Sequence, residues 1–347
     1  MKDRHSQHGA LTLVPMPGFE DIATLLKEQI ERKETPVDIA SPIFGRRSSK
    51  EPFIKLKKKH IGGHDCVILT SGPGTPDMLV NLFFLLNHVA GRRAARITVI
   101  TAYFPLSRSD RDEADDEFAL PPLIVSLMKT AAQGRLDRII SVDLHASQVV
   151  MAGDPGLITE VSMFKRVFKQ ALEEALQTHD KIVVHYPDNG AKKRYEEAVT
   201  NVADELDCDI FTTFGDKRRG NSRDVEIKDI YRDVDELEGA LVLSVDDEAA
   251  TVSTNLRTAN TVRERAEIHE FWAIVTHAIL CGDAVENLQL DHSPLDRLYV
   301  ADTVPLVNRQ FLNPFVKSGK IRVVSWLTDL GHIIYHHHWD TSIRTTR

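Results

Sequence analysis

LVLSVDDEAATVST, residues 241–254, decides the fold: a nearly unbroken apolar run, a pair of acids, then hydroxyl residues crowded where a helix should begin. A strand with so little polar alternation must be covered on both faces, which is the situation of a parallel sheet between helices. The same cadence recurs in CVILTS (66–71), ITVITAYF (97–104), RIISVDL (138–144), KIVVHYP (181–187) and DIFTTF (209–214). Helix-period segments near 76–90, 122–132, 163–176 and 191–206 separate these runs, giving the alternation of βαβ units. Within the opening stretch the strand is expected to end at Val245 and the helix to start near Ser253.

The second half of the chain repeats the rhythm of the first, and 347 residues suit two domains better than one. Apolar residues at 42% and charged residues at 27% describe a folded chain with real cores. The formal charge of -8 argues against nonspecific nucleic-acid binding, which needs a basic surface. The longest apolar stretch, LVNLFFLLNHVA (79–90), is interrupted by polar residues and too short for a membrane span, so it reads as a buried helix. The N-terminus lacks the apolar core of an export signal. Cys66, Cys208 and Cys281 lack metal or redox spacing and are expected to be buried free thiols in a reducing, cytoplasmic setting.

Open α/β sheets bind ligands at the carboxyl ends of their strands. Polar clusters stand at just those places: SRSDRD (107–112), DLHAS (143–147), PDNG (187–190) and DDEAATVST (246–254). In the last, Thr251, Ser253 and Thr254 with the N–H groups of a helix start suit a phosphate, while Asp246 and Asp247 can accept from sugar hydroxyls. His145 and Asp188, at strand ends in the two halves, suit a magnesium ion held mostly by water and phosphates. In FGDKRRGN (214–221), Lys217 and Arg219 fall on one side of an extended segment, as two cations aimed at phosphoryl oxygens would. Arg108 is placed to contact a nucleotide, whereas the acids from Asp112 to Glu117 read as a solvated loop. KLKKKH (55–60) is expected to be a strand with a basic outer face, and His336, His337 and His338 to be ordinary surface or interface residues.

With these segments assembled, the chain resembles the ribose-phosphate diphosphokinases, the phosphoribosyl pyrophosphate (PRPP) synthetases, over nearly its whole length. TAYFPLSRSD, SVDLHAS, YPDNG, GDKRRG, VDDEAATVST and VTHAIL with VADTVPL follow that family's order. The resemblance implies an α/β fold of two tandem phosphoribosyltransferase-type domains, each a mostly parallel sheet flanked by helices, over 1–160 (ATP side) and 161–347 (ribose-5-phosphate side). It implies transfer of the diphosphoryl group of Mg-ATP to the C1 hydroxyl of ribose 5-phosphate, giving PRPP and AMP, by a homo-oligomer. Carried over by position, Lys217, Arg219 and His145 serve catalysis, and Arg108, Ser109, Asp110, His145 and Glu51 meet ATP. Asp246, Asp247, Thr251, Val252, Ser253 and Thr254 hold ribose 5-phosphate, and His145 and Asp188 serve Mg2+.

The chain departs from the family pattern at named positions. Ala250 stands where an acid is usual, Ser253 where a glycine is usual and Ser109 where a glutamine is usual. The acidic strand-pair motif is reduced to SSKE (48–51), with Glu51 kept. Two alternatives follow: a non-catalytic relative that assembles with or regulates an active synthetase, and a phosphoribosyltransferase that consumes PRPP.

Overall fold

The structure is a computed structural model that describes residues 6–58, 60–110, 118–219, 225–289, 293–305 and 309–343; of 216–219 and 225–229 it describes the backbone alone. It divides into two compact units, Met1–Ser162 with Trp326–Arg347, and Met163–Ser325. The second unit is thus an insertion in the first, whereas the sequence reading expected a second half running unbroken from 161 to 347.

The first unit carries β1 (Leu11–Pro15), α1 (Glu20–Glu31), β2 (Val37–Ile39), β3 (Pro42–Arg46), β4 (Pro52–Leu56), β5 (Asp65–Thr70), α2 (Pro76–Gly91), β6 (Arg96–Thr101), α3 (Pro121–Ala131), β7 (Leu136–Val142) and β8 (Ile158–Val161). Six strands form one sheet in the order β2-β1-β5-β6-β7-β8, every pair parallel, and β3 and β4 form a separate antiparallel hairpin. All residues of β5 and β6 are buried, as strands covered on both faces must be. α2 opens on Thr75, whose Oγ1 accepts from the Met78 N–H, with Pro76 at the first helical position, where a missing N–H costs nothing. Leu82, Leu85, Leu86 and Val89 of α2 enter the core, but Val80 and Phe84 are 40% and 41% exposed. The stretch expected to be a buried helix is therefore half-buried. β4 takes only the first two residues of KLKKKH, and Lys57, Lys58 and His60 lie outside the strand.

The second unit carries α4 (Phe164–Thr178), β9 (Ile182–Tyr186), α5 (Asn189–Glu205), β10 (Phe211–Arg219), β11 (Val225–Arg232), β12 (Leu241–Ala249), α6 (Ser253–Arg265), β13 (Glu270–Ala278), α7 (Ala284–Gln289), β14 (Arg297–Ala301), α8 (Asn313–Ser318) and β15 (Ile321–Val324). Its sheet runs β11-β10-β9-β12-β13-β14-β15, parallel except for the β10–β11 pair, with a buried apolar cluster on each face. From β9 the chain builds outward through β10 and β11, then returns to build the other way from β12. The β9–β12 junction is the point where strand order reverses, and a crevice forms at such a point. β12 does not stop at Val245: its pairing with β9 ends at Ser244, but its pairing with β13 continues to Ala249. Asp246 and Asp247 therefore sit on a strand that has lost one neighbour.

The chain returns to the first unit through α9 (Leu327–His338), which packs on α1. Gly331 permits the approach, since a Cβ there would lie 2.7 Å from Oε1 of Gln29. His337 and His338, expected at the surface, are 5% and 3% exposed. Both Nη2 and Nε of Arg96 donate to the Asp65 carboxylate (2.7 and 2.9 Å), His338 Nδ1 lies 2.8 Å from the same group, and Arg96 also reaches Asp340 and the His337 carbonyl. Burial opposes ionisation of Asp65 most strongly, yet hydrogen bonds from His338 and Arg96 hold its carboxyl below the ordinary range. Burial, and after it the Arg96 charge, pushes the His337 imidazole down to about 4. The unfolded chain then binds a proton near 6.5 that the folded chain refuses until about 4. Stability is thus full above pH 6.5 and falls as pH drops toward 4, by about 3 kcal/mol from this group. Urea unfolding at pH 7 and pH 5 should show the loss, and His337→Gln should flatten it.

Among the cysteines, Cys66 is buried, Cys208 half-buried and Cys281 exposed, so the expectation of three buried thiols holds for Cys66 alone. No helix of the described residues is long and apolar enough to cross a membrane.

Candidate functional site

In the second unit the two loops beside the reversal point are PDNG after β9 and DDEAATVST on and after β12. Asp247, 7% exposed, accepts from Nη1 of Arg194 on α5 at 3.3 Å, and its own N–H donates to Oδ1 of Asp246 at 3.0 Å. Arg194 was passed over in the sequence, where it is one of several basic residues on a helix surface. Only the pairing of β9 with β12 brings it to the acids.

α6 begins at Ser253, as its sequence predicts, but with no side chain capping its first turn. Val252 occupies the cap position in the left-handed region, at φ 67°, and its side chain is buried in the core. A β-branched residue in that region stores on the order of 1–3 kcal/mol of strain, and such strain gathers where a binding loop must hold one shape. Thr251 Oγ1 and Ser253 Oγ are 2.8 Å apart, and the Thr251 carbonyl accepts from Nδ2 of Asn287 on α7. Thr254 is exposed. Two facing hydroxyls beside uncapped helix N–H groups offer donors of the kind that suit a phosphate.

Asp188 has a structural task of its own. Its Oδ1 accepts from the Ala191 N–H at 2.9 Å, capping α5. The backbone of Lys217 and Arg219 continues β10, paired with Ile227 and Val225 after an irregularity between Asp216 and Lys217. The segment is extended, as expected, while the two side chains lie outside the described residues. The acidic run also lies outside them, over 111–117.

In the first unit, the loops after β6 and β7 are joined: Nε2 of Gln148 donates to Oδ2 of Asp110 at 3.1 Å. Ser109 closes a turn onto the Leu106 carbonyl and receives the Leu120 N–H, and Arg108 is exposed. His145, half-buried, follows Asp143, whose φ of 34° makes it a second strained residue at a strand end. The neighbouring Leu144 N–H donates to Oε1 of Glu160 on β8 at 2.8 Å, which fixes this loop. Glu51 is exposed at the tip of the β3–β4 hairpin, where Ser49 Oγ donates to it. Sequence reading passed over Gln148 and Glu160, whose places depend on sheet neighbours. It also passed over SGPGT (71–75), the loop after β5, where Ser71 Oγ accepts from the Tyr103 N–H. There a signal existed: glycines between a strand and a helix start.

The arrangement matches known proteins throughout. A family model for the N-terminal domain of ribose phosphate pyrophosphokinase matches residues 22–131. The ribose-phosphate pyrophosphokinase of Chromobacterium violaceum is 30% identical over 291 residues, covering 83% of each chain. That of Fusobacterium nucleatum is 27% identical over 277 residues, covering 79% of this chain and 80% of its own. The crystal structure of phosphoribosylpyrophosphate synthetase from Mycobacterium smegmatis superposes with a TM-score of 0.76 at 22% identity, covering 95% of this chain and 99% of that one. Two doubly covered sheets, strand-end loops in the expected order and 30% identity over 83% of the chain agree, and the chain belongs to the ribose-phosphate pyrophosphokinase family.

Proposed function

We propose that this protein transfers the diphosphoryl group of ATP to the C1 hydroxyl of ribose 5-phosphate. The observation that carries the reading is the loop at the β9–β12 reversal point, where paired acids precede an uncapped helix start. Asp246 and Asp247 accept from ribose hydroxyls, and Thr251, Ser253, Thr254 and the backbone around Val252 receive the 5-phosphate. Arg108, Ser109, Asp110 and His145 bind ATP, with Glu51 contributing from its hairpin. The C1 oxygen attacks the β-phosphorus as the bond from that phosphorus to the α-phosphate oxygen breaks, AMP departs, and the hydroxyl proton is released. Lys217 and Arg219 offset the charge that builds on the phosphoryl oxygens in this step.

Imidazole is a soft partner for a hard cation, and Asp188 already commits one oxygen to its helix. Such donors fit a magnesium ion carried mainly by water and the nucleotide, touched by His145 and Asp188, and not an all-protein cage. When bound, magnesium neutralises phosphate charge. The cap and the metal role of Asp188 separate by substitution. Asparagine caps as well as aspartate, so Asp188→Asn should unfold like the wild type yet lose about 10–100-fold in turnover. Asp188→Ala should in addition cost about 1 kcal/mol of stability. Full turnover in Asp188→Asn would leave capping as the residue's only task.

We further propose a cytoplasmic homo-oligomer, in keeping with the apolar residues Val80, Phe84, Leu123 and Leu127 that α2 and α3 leave exposed; sedimentation measures its size. The central experiment is formation of AMP and PRPP from ATP and ribose 5-phosphate in magnesium, abolished by chelation. No product in magnesium or manganese would favour a regulatory relative, and product only from PRPP and a base would indicate a phosphoribosyltransferase.

A further inference from the structure

At the opposite end of the second unit's sheet from the candidate loops, three side chains converge that the reaction does not use. His179 follows the last turn of α4, and His269 and Glu270 stand at the start of β13. Their ligand atoms all lie within 4.8 Å of one another, and Nε2 of His179 is 3.1 Å from Nδ1 of His269. Two nitrogens bound to one tetrahedral zinc at its usual bond length stand about 3.3 Å apart, so the rings need hardly move to share an ion.

The hydrogen bonds around the cluster orient it. The Thr178 hydroxyl spends its proton on the Glu174 carbonyl at 3.0 Å, and its oxygen lies 2.8 Å from Nδ1 of His179. With its proton on that carbonyl the oxygen accepts from Nδ1 of His179, the tautomer that turns the lone pair of Nε2 toward His269. This is how an outer partner fixes a metal-binding imidazole. Glu270 is held likewise: its Oε2 accepts from Nε1 of Trp272 at 2.5 Å, and Arg297 lies 4.0 Å away. The ring of Trp272 meets His179 edge-on and walls one side. Burial also holds the His179 imidazole below its ordinary range. His269 is exposed, which leaves a fourth position open to water.

We propose that His179, His269 and Glu270 form a binding site for a zinc-like divalent ion, which ties the end of α4 to the start of β13. Two imidazoles and a carboxylate are suitable zinc ligands, whereas magnesium prefers oxygen alone. Glu270 lies opposite Leu241 and Val275 opposite Asp246, so the site stands about 17 Å along the sheet from the acids of β12 and is separate from the reaction's magnesium.

Zinc titration of the chelator-treated full-length protein tests this by calorimetry, with cobalt absorption as a reading of tetrahedral geometry. The wild type should take up one equivalent that His269→Ala and Glu270→Gln bind at least about 100-fold more weakly. Zinc should raise the melting midpoint of the wild type and of neither variant. All three proteins should melt alike in chelator and turn over alike in magnesium, since these residues lie outside the catalytic loops. A wild type that takes up no zinc, or either variant binding it as the wild type does, overturns the site.

Discussion

Asp65→Ala is expected to lower the unfolding free energy by about 3–5 kcal/mol, measured by urea denaturation at pH 7. Asp65 is fully buried and accepts both arms of the Arg96 fork and Nδ1 of His338. Removing it leaves a guanidinium 5% exposed with its main countercharge gone. The loss reflects that stranded cation more than the worth of the pair, because bringing both charges out of water was itself costly. Changing both partners at once, Asp65→Leu with Arg96→Met, should therefore cost less than Asp65→Ala alone. A loss below about 1 kcal/mol in the single variant would mean that water reaches Arg96 and the network does not anchor α9.

Lys217→Ala is expected to lower kcat by about 10²–10³-fold, with KM for ATP and for ribose 5-phosphate changed by less than about threefold. The asymmetry is the informative part. A cation that meets charge only as it builds on the transferring oxygens lowers the barrier without tightening the ground state. A ground-state contact with the phosphates would instead raise KM. The backbone gives a reason to expect such a task, since the β10–β11 ladder shifts register between Asp216 and Lys217, and bulges commonly re-aim side chains beside active sites. Steady-state rates with each substrate varied in turn make the measurement, and a loss under tenfold would remove Lys217 from the proposed mechanism.

What could be read from the residues was what depends on neighbours in sequence. Unbroken apolar runs announced covered parallel strands, and α6 begins at the Ser253 that its hydroxyl cluster marked. What escaped depends on which strand lies beside which. Asp246 and Asp247 were expected in a loop because the apolar run ends at Val245, but β13 continues to pair after β9 has ended. Arg194, Gln148 and Glu160 carried no local signal, since each matters only through a partner on another element. The three consecutive histidines misled for a related reason. A polar triplet reads as surface until a buried Asp65 and Arg96 from distant strands supply its partners.

The return of α9 to the first unit bears on how the chain is made. A ribosome releases the second unit whole, while the first still lacks the helix that fills the pocket around Asp65 and covers α1. The earlier-made unit is thus the later to be finished, and until residue 338 emerges a buried carboxylate and guanidinium have only each other. Cutting the gene at the midpoint to obtain the first half alone would leave that half permanently in the unfinished state, prone to clump. Joining 326–343 to residues 6–162 by a short linker would supply the missing piece.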